Sequence, residues 1–396
     1  MRVLKIIFAA VMVLCLVMCS PQKKTEEHEI FKQIPASIVT NLPVNPAMKL
    51  VQDMGIGINI GNTLDAIGTH TWHSGENGWG NPDITREFIQ VLKNYGYKSI
   101  RLPVTWAEYM GPAPNYLIGD CVFDNCYDCP NRMDRVEEVV RWILEEDMYC
   151  VLNIHHDGGY SDKSWILEAS TNPEKVADIF SKVWTQIATR FANVSQDKLI
   201  FESMNEVGFN DIWNGQGMRG KDRAYEILNM LNQTFVDTVR KIPGNENRFL
   251  LIAGYWTNIE QSCDPFFIMP DDTITDRLIL SVHYYDPATF CIAEQPDNSW
   301  GFRDTWGTPV DYFHLTTEFN KLKTRYLERG FPVILGEYGV TLRNKVEEDR
   351  VRWMASVKKI CLNYGIHPML WDTGGEISRH PPFEMRDSLK AVWDLF

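Results

Sequence analysis

The chain has 396 residues, 44% of them hydrophobic and 23% charged, and it carries a net charge of −13 at pH 7. That composition is typical of a globular protein with a large core. No run of Lys or Arg is long enough to form a basic patch, which argues against nucleic acid as a partner and favours a neutral or basic substrate.

The first residues have the pattern of an export signal. Arg2 and Lys5 precede the apolar run IIFAAVMVLCLVM (6–18), which is shorter than a transmembrane helix needs. The run ends at LVMC, so residues 1–19 are typical of a bacterial lipoprotein signal with Cys19 as the lipidated residue, although the residues before it are bulkier than usual. We therefore expect an exported protein that meets a membrane only through this anchor, with plain secretion as the alternative.

Residues 20–46 are polar, contain several prolines and show no periodicity, which predicts a flexible tether. From Ala47 to Phe396 there is neither a second low-complexity break nor a clear repeat. The sequence therefore predicts one domain over 47–396.

Short apolar runs alternate with amphipathic stretches through this domain. The eight runs are 55–60, 97–104, 149–156, 199–205, 248–256, 278–286, 331–339 and 367–374. Helical periodicity separates most of them, for example in PDITREFIQVLKNYG (82–96) and EEDRVRWMASVKKICLNYG (347–365), and is weakest after the fifth run. This alternation predicts an α/β fold, the (β/α)8 TIM barrel. A doubly wound sheet is the alternative, but it would usually place a Gly-rich loop where GNTLDA (61–66) stands.

Nine cysteines in an exported chain suggest disulfides. In CVFDNCYDCP (121–130), a loop disulfide is favoured over a metal site, because no fourth ligand is near in the sequence. Cys263 and Cys291 lie in expected loops and could pair. Cys150 and Cys361 lie in apolar periodic segments, which predicts buried thiols.

The ends of the predicted strands carry the side chains with chemical potential. Barrels of this type place their chemistry at the C-terminal strand ends. Those ends hold aromatic, imidazole, amide and carboxylate groups instead of the small polar residues that solubility alone would favour. They include Asn62, Arg101, His155, His156, Asn205, Glu206, His283, Tyr285, Glu337 and Trp371. This set predicts an active site.

Glu206 and Glu337 end the fourth and seventh strands, which face each other across an eight-stranded barrel. A retaining glycosidase requires two carboxyl groups about 5–5.5 Å apart. Arg101 and Tyr285 would keep Glu337 ionised. We therefore expect Glu337 to be the nucleophile, and Glu206, which follows the amide of Asn205, to be the acid/base. The alternative is a pair of structural acids bound to Arg101.

His155 and His156 are adjacent in the third run, so we expect their side chains to point to opposite faces. They would then not bind one ion together, and the sequence predicts neither a metal nor another cofactor. A metal site completed by Asp157 or His283 is the less favoured alternative. His155 and His283 are expected to hydrogen-bond the substrate, whereas a structural role explains His156 equally well.

Two further groups are expected around the pair of glutamates. Glu202 precedes Glu206 by four residues on the same side of the strand, which predicts a deeper charge partner for Arg101. The chain has 13 Trp residues, and indoles stack on sugar rings. Trp79 and Trp371 are the candidates for substrate contact.

These residues resemble glycoside hydrolase family 5, and within it the endo-β-1,4-glucanases and xyloglucanases of subfamily 4. The matching segments are MGIGINIGNTLDA, WGNPDIT, SIRLPVTW, GPAP, VLNIHHD, FESMNEV, VHYYDPATF, VILGEYG and LWDTGG, in the expected order. The resemblance implies a retaining barrel enzyme without a metal cofactor that cuts internal β-1,4-glucan linkages. The sequence departs from the family at Val207, where a proline is usual, at Ile58, where an aromatic residue is usual, and in the added segment 121–132.

The expected partner is therefore a β-glucan polysaccharide or oligosaccharide, bound by a monomer. The same mechanism acting on mannan or xylan stays open, as does a surface lipoprotein that binds glycans without cleaving them. The presence of both glutamates favours the enzyme, because a site that only binds does not need the pair.

Overall fold

Eight parallel strands form a closed barrel in the computed structural model, which describes residues 30–67, 76–119, 131–159 and 164–396. The strands are β1 (Gly57–Asn59), β2 (Ser99–Leu102), β3 (Tyr149–Asn153), β4 (Leu199–Glu202), β5 (Leu250–Asn258), β6 (Leu278–Tyr284), β7 (Val333–Tyr338) and β8 (His367–Leu370). Each strand overlaps one of the eight apolar runs. The predicted (β/α)8 barrel is therefore confirmed.

Every strand pairs in parallel with the next one along the chain, and β1 closes the barrel on β8. All carboxyl ends therefore meet at one rim. The register shifts between Val282 and His283, after which His283 lies opposite Glu337. Such irregularities near a barrel rim redirect side chains. Here the shift brings an imidazole next to a carboxylate.

Helices lie between successive strands of the chain, one more precedes β1 and another follows β8. They are α1 (Pro46–Asp53), α2 (Arg86–Asn94), α3 (Arg132–Glu145), α4 (Pro173–Arg190), α5 (Lys221–Lys241), α6 (Ile259–Ser262), α7 (Ala288–Cys291), α8 (Pro309–Arg325), α9 (Glu347–Tyr364) and α10 (Asp387–Asp394). The connection after β5 is the single turn α6, as its weak periodicity indicated. Among the residues described here, no helix combines the length and the apolar character needed to span a membrane.

The interior of the barrel is packed at its N-terminal end. Its side chains come from neighbouring strands and include Val151, Ile200, Leu251, Ile279, Ile334 and Met369, all fully buried. Helix α1 covers this end with Ala47, Leu50, Val51 and Met54, which belong to the same apolar cluster. Asn45 caps the helix by accepting the backbone N–H of Met48 at 2.8 Å. With this end filled, the polar groups of the barrel collect at the carboxyl rim.

Residues 30–45 are packed on the outside of the barrel. Ile34 and Leu42 are buried, and Asn363 bonds the segment twice, through its side chain and through its carbonyl oxygen. A segment that buries apolar side chains and pairs its backbone is not a flexible linker. The tether expected up to residue 46 is therefore wrong for this part. Its earlier part, together with Cys19, lies outside the described residues.

The cysteine predictions have a mixed outcome. Cys150 and Cys361 are buried free thiols, as predicted. Cys263 and Cys291 are also free, so their expected pairing is wrong. Cys263 follows α6, whereas Cys291 ends α7, the helix in the next connection. Burial raises the pKa of Cys263 to about 12. The three cysteines of 121–130 lie outside the described residues.

Candidate active site

Arg101, in β2, is the centre of a buried polar cluster at the carboxyl rim. Its guanidinium donates to Glu202 (2.7 Å), Asn59 (3.0 Å), Glu337 (2.7 Å) and Asn205 (2.8 Å). Burial alone would lower the pKa of Arg101, but Glu202 and Glu337 raise it above its usual value. The guanidinium is therefore a permanent cation with two carboxylate partners. The prediction that Glu202 is its deeper partner is confirmed.

Glu337 lies in β7, and its side chain is only 7% exposed. It accepts from Nη1 of Arg101 at 2.7 Å and from the hydroxyl of Tyr285 at 2.9 Å. Burial raises the pKa of Glu337, and the charge of Glu206 adds to this, while the charges of His283 and Arg101 oppose the rise. Burial also raises the pKa of Tyr285 well above its usual value, so this hydroxyl stays a donor.

Glu206 lies four residues beyond the end of β4, and its side chain is 46% exposed. Nδ1 of His283 lies 2.8 Å from Oε1 of Glu206 and 3.7 Å from Oε2 of Glu337. One oxygen of each carboxyl group and one nitrogen of His283 all lie within 4.8 Å of one another. Removal from water would raise the pKa of Glu206, but the N–H and the charge of His283 lower it. The imidazole thus couples the two carboxyl groups.

The turn that carries Glu206 is held without the usual proline. The N–H of Val207 donates to the carbonyl of Asn205 at 2.7 Å, and its own carbonyl accepts from Trp256 at 2.9 Å. The Val207 side chain is fully buried against Gly158, where an added Cβ would come within 2.3 Å of a Val207 methyl group. Packing and backbone pairing therefore restrain the turn.

His155 and His156 lie side by side, so the expectation that they point to opposite faces is wrong. Their ring centroids are 4.4 Å apart in an edge-to-face arrangement. Strand β3 ends at Asn153, and His155 has φ −98° and ψ −94°, so the alternation of a strand no longer applies. Asp65 completes the group, with one potential ligand atom from each residue within 4.8 Å of the others.

Two clusters among the described residues have the spacing of a metal site. They are Asp65–His155–His156 and Glu206–His283–Glu337. In the first, the oxygens of Asp65 already accept the backbone N–H groups of Thr63 (2.8 Å) and Asn62 (3.1 Å), and burial raises the pKa of Asp65 to about 6. In the second, Arg101 places a fixed positive charge beside Glu337. Neither donor set favours a cation, and the absence of a metal stays a prediction.

The predicted aromatic contacts lie next to these histidines. Trp371 stacks on His155, with ring centroids 5.7 Å apart and an interplanar angle of 4°. Its indole passes so close to Gly61 that an added Cβ would meet it at 2.9 Å. Trp79 donates to a backbone carbonyl at 2.9 Å, and its ring lies 5.4 Å from that of His156. The structure therefore brings both indoles to one side of the rim.

Asn62 lies in the loop after β1, in the left-handed region with φ 57°. Its backbone N–H bonds Asp65, and its carbonyl accepts from the side chain of Asn81 at 3.0 Å. The same amide of Asn81 reaches the carbonyl of Thr373 at 3.1 Å. Asn62 therefore belongs to a junction between the loops after β1 and β8.

Four polar residues of the cluster were missed by the sequence reasoning. They are Asn59, Asp65, Asn153 and Ser281, all fully buried. Ser281, for example, donates to Glu202 at 2.6 Å. Asn59, Asn153 and Ser281 each stand as a single polar residue in an apolar segment, as in GIGINI, VLNI and LILSV, whereas Asp65 lies in the polar loop GNTLDA. Such interruptions of a buried parallel strand are a usable signal, since an unpaired polar group there is costly.

Comparison with known proteins identifies the family of the chain. A family model described as Cellulase (glycosyl hydrolase family 5) matches residues 60–376. Endoglucanase A of Paenibacillus barcinonensis is 35% identical over 351 residues, which are 83% of this chain and 82% of that protein. Solved structures are also similar to this chain, and two of them are described next.

The first is a glycoside hydrolase 5 lichenase from Caldicellulosiruptor sp. F32, a mutant in complex with cellotetraose. It has a TM-score of 0.78 and 29% identity, over 89% of this chain and 95% of that one. The second is a family 5 xyloglucanase from Paenibacillus pabuli in complex with ligand, with a TM-score of 0.75 and 31% identity over 88% and 100%. The resemblance noted in the sequence is confirmed, and the chain belongs to glycoside hydrolase family 5.

Proposed function

We propose that the chain is a retaining, endo-acting hydrolase of β-1,4-linked glucans, with Glu337 as nucleophile and Glu206 as acid/base. The observation that carries this is the approach of the two carboxyl groups, with one oxygen of each within 4.8 Å of the other. Retaining glycosidases hold their carboxyl groups about 5–5.5 Å apart, whereas inverting ones need about 6.5–9.5 Å to admit a water. The short spacing supports direct attack by a carboxylate.

The partners of the two carboxyl groups distinguish their roles. Glu337 accepts from Arg101 and Tyr285, and both of these donors keep their protons, which favours the carboxylate of a nucleophile. Among the described residues, Glu206 is hydrogen-bonded to Nδ1 of His283, which can donate to a carboxylate or accept from a carboxylic acid. The contact of Glu206 therefore survives a change of protonation state, as an acid/base requires.

In the first step, an oxygen of Glu337 bonds to the anomeric carbon while Glu206 gives its proton to the departing glycosidic oxygen. The C–O bond between the sugars breaks, and a glycosyl ester forms on Glu337. In the free cleft His283 lowers the pKa of Glu206. A sugar chain that covers the half-exposed side chain excludes water and raises that pKa, as a general acid requires.

In the second step, a water gives a proton to Glu206 and bonds to the anomeric carbon, and the ester bond to Glu337 breaks. The charges of the two carboxyl groups repel each other, and that of Glu206 raises the pKa of Glu337. Once Glu337 is an ester its charge is gone, so the pKa of Glu206 falls. The same residue then acts as the base, and two displacements retain the anomeric configuration.

The names of the relatives support β-glucan as the substrate class. The matched proteins are described as an endoglucanase, a lichenase and a xyloglucanase. In the cleft, Oδ1 of Asn205 is taken by Arg101, which leaves its amide hydrogens for a sugar hydroxyl. Trp371, stacked on His155, offers an indole at the same rim. A comparison of activities on cellulosic, mixed-linkage and xyloglucan chains would identify the preferred glucan.

The test is a side-by-side assay on carboxymethyl cellulose, xyloglucan, mixed-linkage glucan, xylan and glucomannan. Endo action on a β-glucan lowers viscosity faster than it releases reducing ends. Glu337→Ala is expected to be inactive, and Glu206→Ala to be rescued by azide with a β-glycosyl azide as product. Glu260→Gln, an exposed acid on α6, is the matched control and keeps full activity. Binding without cleavage by the unaltered protein would refute the proposal.

We also propose that residues 1–19 direct export, that Cys19 carries a lipid anchor and that the mature protein is a monomer at the cell surface. The charged start, the apolar run and the position of Cys19 support this. Incorporation of an alkyne-labelled fatty acid into the full chain, lost in Cys19→Ser, is the expected result. Unlabelled protein in the medium would indicate plain secretion instead. Light scattering after size-exclusion chromatography measures the oligomeric state.

A further inference from the structure

Asn153 ends β3 and is fully buried, two residues before His155. Its Oδ1 accepts the backbone N–H of Val104 at 3.1 Å. Because a backbone N–H can only donate, the amide oxygen must face Val104, and the amide nitrogen must face the other way. That nitrogen lies 3.0 Å from Nδ1 of His155.

We infer that Asn153 is a positioning residue that fixes the proton of His155 on Nε2. An amide NH2 is only a donor, so Nδ1 of His155 has to present its lone pair to it. A neutral imidazole carries one proton, and Nε2 is the nitrogen that remains. Val104 thus sets the orientation of Asn153, and Asn153 sets the tautomer of His155.

The surroundings of the ring support its neutral form. Burial, and then the charges of His156, Arg101 and His283, hold the pKa of His155 well below its usual value. The ring lies parallel to Trp371, which fixes its plane. Among the described residues, Asn153 supplies the hydrogen bond that is recorded for the ring, through Nδ1. Nε2–H is therefore available to a ligand as a donor.

The consequence for the substrate rests on the proposed function. Nε2–H of His155 would donate a hydrogen bond to the oxygen of a sugar hydroxyl. The same nitrogen could not accept a hydrogen bond from that hydroxyl. Asn205 is oriented in the same sense, because its Oδ1 accepts from Arg101 and its amide hydrogens remain. The floor of the cleft thus offers two fixed N–H donors. The fixed tautomer also opposes metal binding by His155 and His156 together, because Nε2 of His155 has no lone pair for a metal ion.

The decisive test is ¹⁵N NMR of the histidine rings in the full protein without substrate, which does not depend on activity. The His155 signals are assigned by their loss in His155→Gln. The expected result is a protonated Nε2 and an unprotonated Nδ1 between about pH 5 and pH 8. A protonated Nδ1, or a mixture of tautomers, would overturn the inference. In Asn153→Asp, whose carboxylate only accepts, Nδ1 is expected to gain a proton.

Kinetics separate this role from a merely structural one. At about pH 8, Asn153→Asp is expected to lower kcat/KM by about 10–100-fold, since a lone pair then faces the hydroxyl oxygen. In a His155→Ala background, Asn153→Asp is expected to lower kcat/KM by less than about twofold, because a residue that acts only through His155 then has no ring to position. Asn45→Asp, at the opposite end of the barrel, is the control. Equal losses in both backgrounds would show a structural role only.

Discussion

The strongest test of the site is the removal of the imidazole that couples the two carboxyl groups. His283 contacts Glu206 at 2.8 Å and Glu337 at 3.7 Å, and it lowers the pKa of both. Replacement by Phe, which is close in size, removes the N–H and the charge together. The pKa of each carboxyl group is then expected to rise. The proposed mechanism needs Glu337 ionised and Glu206 protonated, so both limbs of the pH profile are expected to move to higher pH.

The size of the shift follows from the two contacts. A hydrogen bond to a charged group contributes about 1.5–3 kcal/mol, and one pKa unit corresponds to about 1.36 kcal/mol. The alkaline limb, which reports Glu206, is therefore expected to rise by about 1–2 units. The acid limb rises by less than about one unit, because the contact of Glu337 at 3.7 Å is not a hydrogen bond. The pH profile therefore shifts to higher pH and becomes broader.

The assay is kcat/KM on the preferred soluble glucan between about pH 4 and pH 9. Apparent pKa values of a coupled pair belong to the pair, so the quantity to compare is their sum, which does not depend on how the limbs are assigned. His314→Phe, an exposed histidine on α8, is the control and leaves the limbs in place. An unchanged or lower sum in His283→Phe would refute the reasoning.

Three further outcomes follow from single contacts. Tyr285→Phe removes the hydroxyl that donates to Glu337, so steady-state kinetics are expected to show a fall in kcat of about 10–100-fold with little change in KM. An unchanged kcat would contradict this. Glu202→Gln removes one charge-assisted bond to the guanidinium, and calorimetry is expected to show a loss of about 1.5–3 kcal/mol of stability, which an unchanged Tm would exclude. Gly158→Ala crowds Val207 and is expected to lower the free energy of unfolding, measured with denaturant, by about 1–3 kcal/mol. Adding Val207→Ala is expected to relieve this crowding, so the double variant should lose less than the sum of the two single losses. Additive losses would contradict the contact.

The structure could be predicted from the sequence where a regular periodicity applied without interruption. The eight strands could be predicted because buried parallel strands are continuous apolar runs that alternate with helices. Parity counted back from Glu206 predicted that Glu202 is a partner of Arg101, and the structure finds it at 2.7 Å, although β4 already ends at Glu202.

The rules failed where the regular element had already ended. His155 and His156 were treated as strand residues, but β3 stops at Asn153, and both rings turn to the same side. Asp65 was missed because its position beside them depends on the loop after β1, held by backbone bonds to Asn62 and Thr63. Such loop conformations are set by long-range packing and by local hydrogen bonds, and neither has a sequence period.

The buried ion pairs around Arg101 are better explained by the reaction than by stability. Burying a guanidinium and two carboxylates carries a desolvation cost that often exceeds the Coulombic gain. Glu202 and Glu337 bond the same cation, so the group retains one negative charge more than a simple pair would. With Glu202 absent, the full charge of Arg101 would act on Glu337 and weaken it as the nucleophile of the proposed mechanism. Glu202 therefore limits how strongly Arg101 holds Glu337, while Asn59 and Asn205 keep the guanidinium aimed.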